Sequence, residues 1–268
     1  MRAALALIIA LAGPVAAAEI SPDALDRLPR ADVVFLGEVH DNPAHHAHQA
    51  RAVAAIRPAA LVFEMILPDQ AALLPADRGD AAAMARALDW EGRGWPDFAM
   101  YHPIFTAAPE ARIYGADVPQ ADLARAMQDG AVTVLPDPSL GLGEGLPPDA
   151  QEAMEDALWA AHCYAMPRAA MAPMVQAQRL RDASLARAAR QALSDTGGPV
   201  VVITGTEHAR TDRSAAAILS RAAPEATVLS VGQMESAPDA PPPFDLWLVT
   251  PGVEGRGNPC AAFGGTEG

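Results

Sequence analysis

Short apolar runs alternate along this chain with longer Ala-rich stretches, and this alternation restricts the fold more than any other feature. The Ala-rich stretches at residues 45–56 and 120–129 have the length and composition of helices that link strands. Runs rich in β-branched residues are typical of strands buried on both faces of a sheet. They lie at residues 33–36, 60–63, 111–114, 132–135, 199–204, 227–231 and 246–250. We therefore predict an α/β fold, with a mainly parallel central sheet flanked by helices.

Two long helical stretches interrupt this rhythm between the fourth and fifth expected strands. Residues 149–163 and 167–194 follow one another without a strand between them. We interpret residues 149–195 as a helical insertion or lid within an α/β domain that spans residues 19–251. Residues 252–268 are rich in Gly and poor in apolar side chains, so we expect a flexible C-terminal tail.

The first 18 residues have the organisation of a Sec signal peptide. Arg2 provides a positive charge, residues 3–12 are apolar, and Ala16 and Ala18 fit a cleavage site of the A-x-A type. The apolar stretch is shorter than the roughly 20 residues that a helix needs to cross a bilayer. No Cys follows the cleavage site, so we expect no lipid anchor. The pattern predicts a periplasmic protein whose mature chain begins near Glu19.

The chain is strongly acidic, and its charge excludes several classes of function. It has 33 Asp and Glu against 19 Lys and Arg, a formal net charge of -14, and all of its basic residues are Arg. Such a surface repels nucleic acid, so we expect no nucleic-acid partner. Without Lys, a Schiff-base mechanism and a Walker A loop are both excluded. The two cysteines, Cys163 and Cys260, are too few for a disulfide scaffold, and the sequence leaves their pairing open.

Two Gly-x-x-His motifs follow two of the expected strands. The first runs from Gly37 to His40, and the second runs from Gly205 to His208. In parallel sheets, ligands bind beyond the carboxyl ends of the strands, so we expect both His residues at the same edge of the sheet. Each Gly is expected to let the backbone turn sharply where a side chain must project.

Carboxylates are expected at the same edge of the sheet. Glu38 lies within the first motif, and Glu64 directly follows the strand at residues 60–63. A buried carboxylate is costly unless it is paired or binds a metal, so we expect Glu64 to join Glu38 and His40. An ion pair with Arg is the alternative for Glu64, and equally for Asp117 after the third strand.

Three more histidines, His45, His46 and His48, lie on the helix that follows the first motif. Asn42 is expected to cap the start of this helix. We interpret the three as polar helix residues at or near the surface. Metal ligation is the alternative, because His is the commonest metal ligand.

Aromatic and Arg residues elsewhere have the chemistry to contact a cofactor. Tyr101 lies in the aromatic stretch at residues 95–103, and Tyr is a known axial ligand of haem iron. Such a stretch is equally consistent with a packed core. Arg181 and Asp182 are interpreted either as an anchor over the site or as a local ion pair. Arg210 has the planar fork that binds a carboxylate, such as a haem propionate.

Taken together, these short segments resemble one known family, the ChaN-like haem-binding uptake proteins of the Tiki superfamily. The resemblance covers nearly all of residues 32–212. The segments that carry it are residues 37–42 with His46 and Gln49, residues 64–65, Trp95 with Tyr101 and Pro103, residues 162–163, residues 178–182, and Gly205 with residues 208–210.

The resemblance implies an α/β core, export to the cell envelope, and a part in haem-iron uptake together with the uptake machinery of the envelope. It also implies that haem is bound through a Tyr, at a homodimer interface where two haems face each other. Tyr101 lies in a matched motif, so we expect it to be the iron ligand. We expect His40, His208, Arg181 and Arg210 to support the haem.

The same motifs leave a different function open. Tiki proteins are metal-dependent proteases with paired G-x-x-H motifs, and erythromycin esterases share the broader fold and a Glu/His site. In this alternative, His40, Glu64 and His208 hold a divalent metal ion that keeps one position open for water. Glu38 would then be the general base of a hydrolase. The sequence does not decide whether the protein is an enzyme.

Overall fold

A seven-stranded, all-parallel sheet forms the centre of the molecule. The computed structural model describes residues 17–258 and 260–261. In chain order the strands are β1 Ala18–Glu19, β2 Val33–Glu38, β3 Ala60–Phe63, β4 Arg112–Gly115, β5 Val200–Gly205, β6 Val228–Met234 and β7 Leu246–Val249. Across the sheet their order is β1-β7-β6-β2-β5-β3-β4, so β5 lies between β2 and β3.

Helices cover both faces of this sheet. In the described residues they are α1 Pro43–Ile56, α2 Ala81–Ala87, α3 Phe98–Ala107, α4 Gln120–Asp129, α5 Ala131–Val134, α6 Pro148–Ala161, α7 Met171–Thr196 and α8 Ala215–Ala222. Successive strand residues face opposite sides of a sheet. Val33 and Phe35 of β2 therefore pack in one core with α4, α7 and α8. Val34 and Leu36 pack in a second core with α1 and α3.

The predicted fold class is confirmed, and six of the seven predicted strands are present within a few residues. The prediction of a strand at residues 132–135 is wrong, because this segment belongs to the short helix α5. Ala131 of that helix is buried and Val134 packs partly buried against the core, but neither lies in a strand of the sheet. The two-residue strand β1 was not predicted, because so short a segment carries no recognisable pattern.

The long helix α7 is part of the core. It buries eleven side chains and packs against β3, β4 and β5 as well as α4 and α8. It is the crossover helix that leads into β5, which differs from the insertion or lid expected at residues 149–195. The helix α6 packs mainly on α7. The end of α7 that precedes β5 is therefore fixed against the sheet.

The described part of the C-terminal tail makes specific contacts with the body of the protein. Arg256 pairs with Asp41 at 2.6 Å and with Glu235 at 2.5 Å. Cys260 forms a disulfide with Cys163, with 5.5 Å between the Cα atoms. The pairing that the sequence left open is therefore present, and it ties this segment to the turn after α6.

Most of the predicted signal peptide, residues 1–16, lies outside the described residues. The described chain begins beside the predicted cleavage site, where Ala18 and Glu19 pair with Leu246 and Trp247 of β7. Among the described helices, none has both the length and the apolar character needed to span a bilayer.

The motif glycines are required by close packing at the strand ends. Neither Gly37 nor Gly205 has a positive φ, so the expectation that they permit a sharp turn is wrong. A Cβ on Gly37 would lie 2.8 Å from Thr206 Oγ1 and 2.9 Å from Thr206 Cα. A Cβ on Gly205 would lie 3.1 Å from His40 Nε2. The absence of a side chain lets β2 and β5 place their carboxyl ends in contact.

We expect Gly37→Ala to lower the free energy of unfolding by about 2 kcal/mol, because backbone atoms of Thr206 cannot yield to a methyl group. Urea unfolding followed by circular dichroism measures this change. Gly145→Ala is the matched control, since a Cβ there meets no atom within 4 Å. Equal stability of the two variants would contradict this account of the motif.

Candidate functional site

The carboxyl ends of β2, β5 and β3 bring charged side chains from three adjacent strands together. Glu38 ends β2 and His40 follows it, while Glu64 follows β3. His208 lies on the short 3-10 helix Thr206–Ala209 after β5. Because β5 lies between its two neighbours, the two Gly-x-x-His motifs meet at one edge of the sheet, as the sequence predicts.

Acidic and imidazole groups alternate in a single row across this edge. Glu64 Oε1 lies 3.9 Å from His40 Nε2 and 3.4 Å from His208 Nε2. On one side, His40 Nδ1 lies 2.7 Å from Glu38 Oε1. On the other side, His208 Nδ1 lies 2.7 Å from Asp182 Oδ1 on α7. We call these five side chains the strand-end row.

The central carboxylate of the row is held by the neighbouring strand. Glu64 Oε2 accepts hydrogen bonds from the Thr204 hydroxyl and from the Gly205 backbone N–H, both at 2.7 Å. Asp182 is held in a similar way, because its Oδ1 also accepts from the Ala215 N–H at 3.1 Å. Among the described residues Glu64 has no Arg partner, so the Arg-paired alternative is wrong for Glu64. It is correct for Asp117, which pairs with Arg93.

Glu38 is buried at the other end of the row and has two further neighbours. Tyr101 donates its hydroxyl to Glu38 Oε1 at 2.8 Å. His46 Nδ1 lies 3.4 Å from Glu38 Oε2, and His46 Nε2 lies 2.8 Å from the main-chain oxygen of His40. His46 therefore contacts both Glu38 and His40 of the first motif.

The charges in the row shift one another's pKa values. Burial raises the pKa of Glu38, but hydrogen bonds from His40 and His46 outweigh it and lower the value to about 2. Burial lowers the pKa of His208, but the charges of Glu64 and Asp182 raise it to about 10. The same competition raises the pKa of His40 to about 9. Near neutral pH the row therefore contains imidazolium–carboxylate ion pairs.

The predicted metal ligands His40, Glu64 and His208 come together, but their atoms pair with one another. Each imidazole directs Nε2 towards the same oxygen of Glu64 and Nδ1 towards another carboxylate. Within residues 17–258 and 260–261, no group of three or more His, Cys, Asp or Glu is arranged to hold a metal ion. The geometry is that of an ion-pair network that is buried except at His40, whose side chain is 34% exposed.

The tyrosine expected to bind haem iron is inaccessible. Tyr101 on α3 is 0% exposed, and its ring packs against His46 and Trp90. Burial and the charge of Glu38 raise its pKa, which opposes the phenolate that ferric iron prefers. A ligand at the surface therefore has no access to the Tyr101 hydroxyl in this structure.

The exposed tyrosine is Tyr164, in the turn between α6 and α7, with 63% of its surface accessible. The backbone N–H of Tyr164 donates to Trp159 O, and that of Cys163 donates to Ala160 O, each at 2.9 Å. These two bonds form a Schellman motif, which normally has Gly at the position that Cys163 occupies. The Tyr164 ring packs edge-on against Trp159 at 4.9 Å, which is the apolar contact typical of that motif.

A groove of about 210 Å³ lies between α6 and the second motif. Its apolar wall is formed by one face of α6, and its polar wall includes Gln178, whose side chain lies 3.5 Å from His208 Nδ1. The lining residues are Met154, Ala157, Leu158, Ala161, Gln178, Glu207, Arg213 and Ser214. The groove therefore joins the turn region of α6 to the strand-end row.

The two arginines expected to support a haem have other surroundings. Arg210 makes a two-pronged contact with Asp212, at 3.0 and 2.7 Å, and lies 3.6 Å from Glu207. The edge of Arg210 that could bind a carboxylate is therefore occupied by Asp212. Arg181 lies near Asp117, whose direct ion pair is with Arg93. Neither arginine lines the groove beside α6.

Sequence reasoning missed the structural importance of the helix histidines. His45 and His46 are fully buried, so the interpretation of both as surface residues is wrong. His45 Nδ1 accepts from the Val39 N–H at 2.8 Å, and burial lowers its pKa to about 4. Their place in the first turn of α1, directly after the motif, is a signal that could have identified them.

A family model described as "Haem-binding uptake, Tiki superfamily, ChaN" matches residues 24–219. The chain belongs to this family. The strand-end row, the groove and Tyr164 all lie within the matched residues. A search of curated proteins found no match.

Solved structures resemble this ChaN-family protein to different degrees, and the first described here shares its fold. One is described as "Cofacial heme binding to ChaN of Campylobacter jejuni"; it is 15% identical, covers 84% of this chain and 89% of its own, and has a TM-score of 0.64. The type III effector HopBA1 is 13% identical, with coverages of 82% and 88% and a TM-score of 0.44.

We expect the free energy of unfolding to fall at alkaline pH because of the strand-end row. His40 and His208 have pKa values raised from 6.5 to about 9 and about 10, so their stabilisation is complete below pH 6.5 and is lost as the pH rises through these values. Urea unfolding at about pH 6 and about pH 9.5 should show this loss for the wild type, and His208→Gln should reduce it by at least about 1 kcal/mol.

His102→Gln is the control for this experiment, because His102 bonds the main-chain oxygen of Arg78. Between about pH 6 and about pH 9.5, His102→Gln should lose as much free energy of unfolding as the wild type does. An identical pH dependence in His208→Gln and the wild type would refute the charged state assigned to the row.

Proposed function

We propose that this ChaN-family protein binds haem in iron uptake and that Tyr164 provides the oxygen ligand to ferric iron. The observation that carries the proposal is accessibility: Tyr164 is 63% exposed, whereas Tyr101 is 0% exposed. The remaining tyrosine, Tyr114, donates its hydroxyl to Asp195 at 2.9 Å. Iron lies at the centre of a wide planar ring, so its axial ligand must project from the surface. Tyr164 is therefore a better candidate than the motif residue Tyr101.

The groove beside α6 has the chemistry to receive part of the haem. Met154, Leu158 and Ala161 give it an apolar wall that suits the face of a porphyrin. Arg213 lies in the same groove and can bind a propionate, although it now pairs with Glu207 at 3.2 Å. We propose Arg213 in the role expected of Arg181 and Arg210.

We also propose that haem binding is linked to a homodimer and to the uptake machinery of the envelope. The solved ChaN structure is described by cofacial haem binding, and two cofacial haems require two sites that face each other. The exposed position of Tyr164 is compatible with such a pairing. Light scattering with and without hemin measures this property; a monomeric mass under both conditions would exclude the dimer.

Export to the periplasm, with cleavage after Ala18, is the location that we propose. The apolar leader supports it, as does the disulfide between Cys163 and Cys260, because such bonds persist in oxidising compartments. Cleavage after Ala18 would leave Glu19 as the first residue, still beside Trp247 of β7. Mass spectrometry of the exported chain tests this position.

A hydrolase that uses the strand-end row is the second candidate. In its favour, several charged groups are buried together at the edge where α/β enzymes bind substrate, which is costly without a purpose. Against a metal-dependent form, the described residues contain no metal-binding group of the required size. Stoichiometric zinc or manganese in the purified protein that disappears in Glu64→Gln would favour this candidate over haem binding alone.

We expect Tyr164→Phe to remove the charge-transfer band of a tyrosinate-bound ferric haem and to weaken hemin binding by about tenfold or more, because the oxygen ligand is lost. Titration with hemin, followed in the Soret and visible regions, measures both effects. Tyr114→Phe is the matched control and should bind as the wild type does.

Tyr101→Phe separates the two candidate ligands. It should keep the tyrosinate spectrum while lowering stability by about 1 kcal/mol, since a hydrogen bond to Glu38 is lost. A band that disappears in Tyr101→Phe and persists in Tyr164→Phe would restore Tyr101 as the ligand.

A further inference from the structure

We propose that the disulfide between Cys163 and Cys260 is a redox switch that holds Tyr164 in its haem-binding conformation, an inference that rests on the proposed function. The bond joins the turn after α6 to the C-terminal segment, across 97 residues of sequence. Tyr164 directly follows one of the two cysteines. Breaking the bond therefore acts on the backbone of the proposed iron ligand itself.

The turn has a backbone conformation that its residues do not favour by themselves. Cys163 and Tyr164 have φ values of 56° and 57°, in the left-handed region that side chains with a Cβ rarely adopt. Such a conformation persists where the surroundings impose it. Two backbone hydrogen bonds, the contact with Trp159 and the disulfide impose it here. Of these, only the disulfide can be removed reversibly by chemistry.

At the Cys260 end of the disulfide, the C-terminal segment is bound to the body of the protein by ion pairs. Arg256 is bound to Asp41 and Glu235, and Asn42 donates to Glu235 at 2.7 Å. Asp41 and Asn42 directly follow His40, so the segment is anchored beside the first motif. The disulfide thus fixes the Tyr164 turn relative to the strand-end row.

Both cysteines are partly exposed, so a dithiol reductant can reach the bond. One thiolate of the reductant attacks a sulfur of the disulfide, the S–S bond breaks, and a mixed disulfide forms. The second thiolate of the reductant displaces the protein thiolate. The reductant is oxidised to a disulfide and loses two electrons, while Cys163 and Cys260 gain these electrons and take up two protons as thiols.

Reduction lets the turn leave the left-handed region, and Tyr164 then no longer has one preferred direction. A ligand that must be ordered on binding gives a lower affinity than one that is already in place. Oxidised protein should therefore hold haem, and reduced protein should release it.

The test compares hemin titrations of three forms of the full mature chain. They are the oxidised wild type, the wild type reduced, alkylated with iodoacetamide and freed of reductant, and Cys260→Ser. We expect the last two to bind hemin about tenfold more weakly, with a diminished tyrosinate band. Circular dichroism of each form establishes that it is folded, and the alkylated form replaces Cys260→Ser if that variant is not.

Cys163→Gly tests whether the disulfide affects hemin binding through the backbone conformation of the turn. It also removes the disulfide, but Gly adopts positive φ readily at one of the two left-handed positions, so the turn should persist in part and hemin affinity should fall less than in Cys260→Ser. A loss as large as that of Cys260→Ser would overturn the role given to the turn. Equal hemin affinity of oxidised and reduced protein would overturn the switch, while leaving haem binding intact. Oxidised protein that binds no hemin would overturn both proposals.

Discussion

The position of Glu64 is the constraint on which the rest of the strand-end row depends. One of its oxygens is held by the hydroxyl of Thr204 and the N–H of Gly205, so the other oxygen faces both imidazoles. The buried imidazolium of His208 and the partly exposed one of His40 would repel each other without a carboxylate between them. The arrangement requires β5 to lie between β2 and β3, and the close contact of Gly37 with Thr206 is part of the same requirement.

The buried row and the exposed tyrosine have different physical roles. His208 and Glu64 are almost fully buried, and their hydrogen-bonding atoms are directed at each other. A haem is too wide to reach these two side chains directly, so in the proposed haem site the row has a supporting role. It holds three strand ends and one face of α7 in register, and the groove beside α6 begins where Gln178 contacts His208. The row therefore supports the wall of the proposed haem site from within.

Much of the fold and of the row could be predicted from the sequence, because both follow from local patterns. Buried β-branched runs indicate parallel strands, and polar residues at their ends are expected at one edge of the sheet, where His40, Glu64 and His208 do come together. The burial of Tyr101 could not be foreseen, because a motif does not reveal whether a ring faces the core. The exposure of Tyr164 depends on a left-handed turn at Cys163, a conformation that residue preferences would assign to Gly. Side-chain direction and turn geometry are tertiary properties, so the sequence alone could not supply them.

The helix α7 follows the Tyr164 turn and contacts the strand-end row, and its packing keeps the two parts of the site independent. The Tyr164 turn lies just before it, Gln178 and Asp182 lie within it, and its buried residues pack on β3, β4 and β5. A helix so deeply packed cannot shift without opening the core, since protein interiors leave little free volume. A change at the turn therefore stays local and leaves the row intact. This separation allows one chain to combine a tightly packed, charged interior with an exposed tyrosine whose turn is held in part by a disulfide.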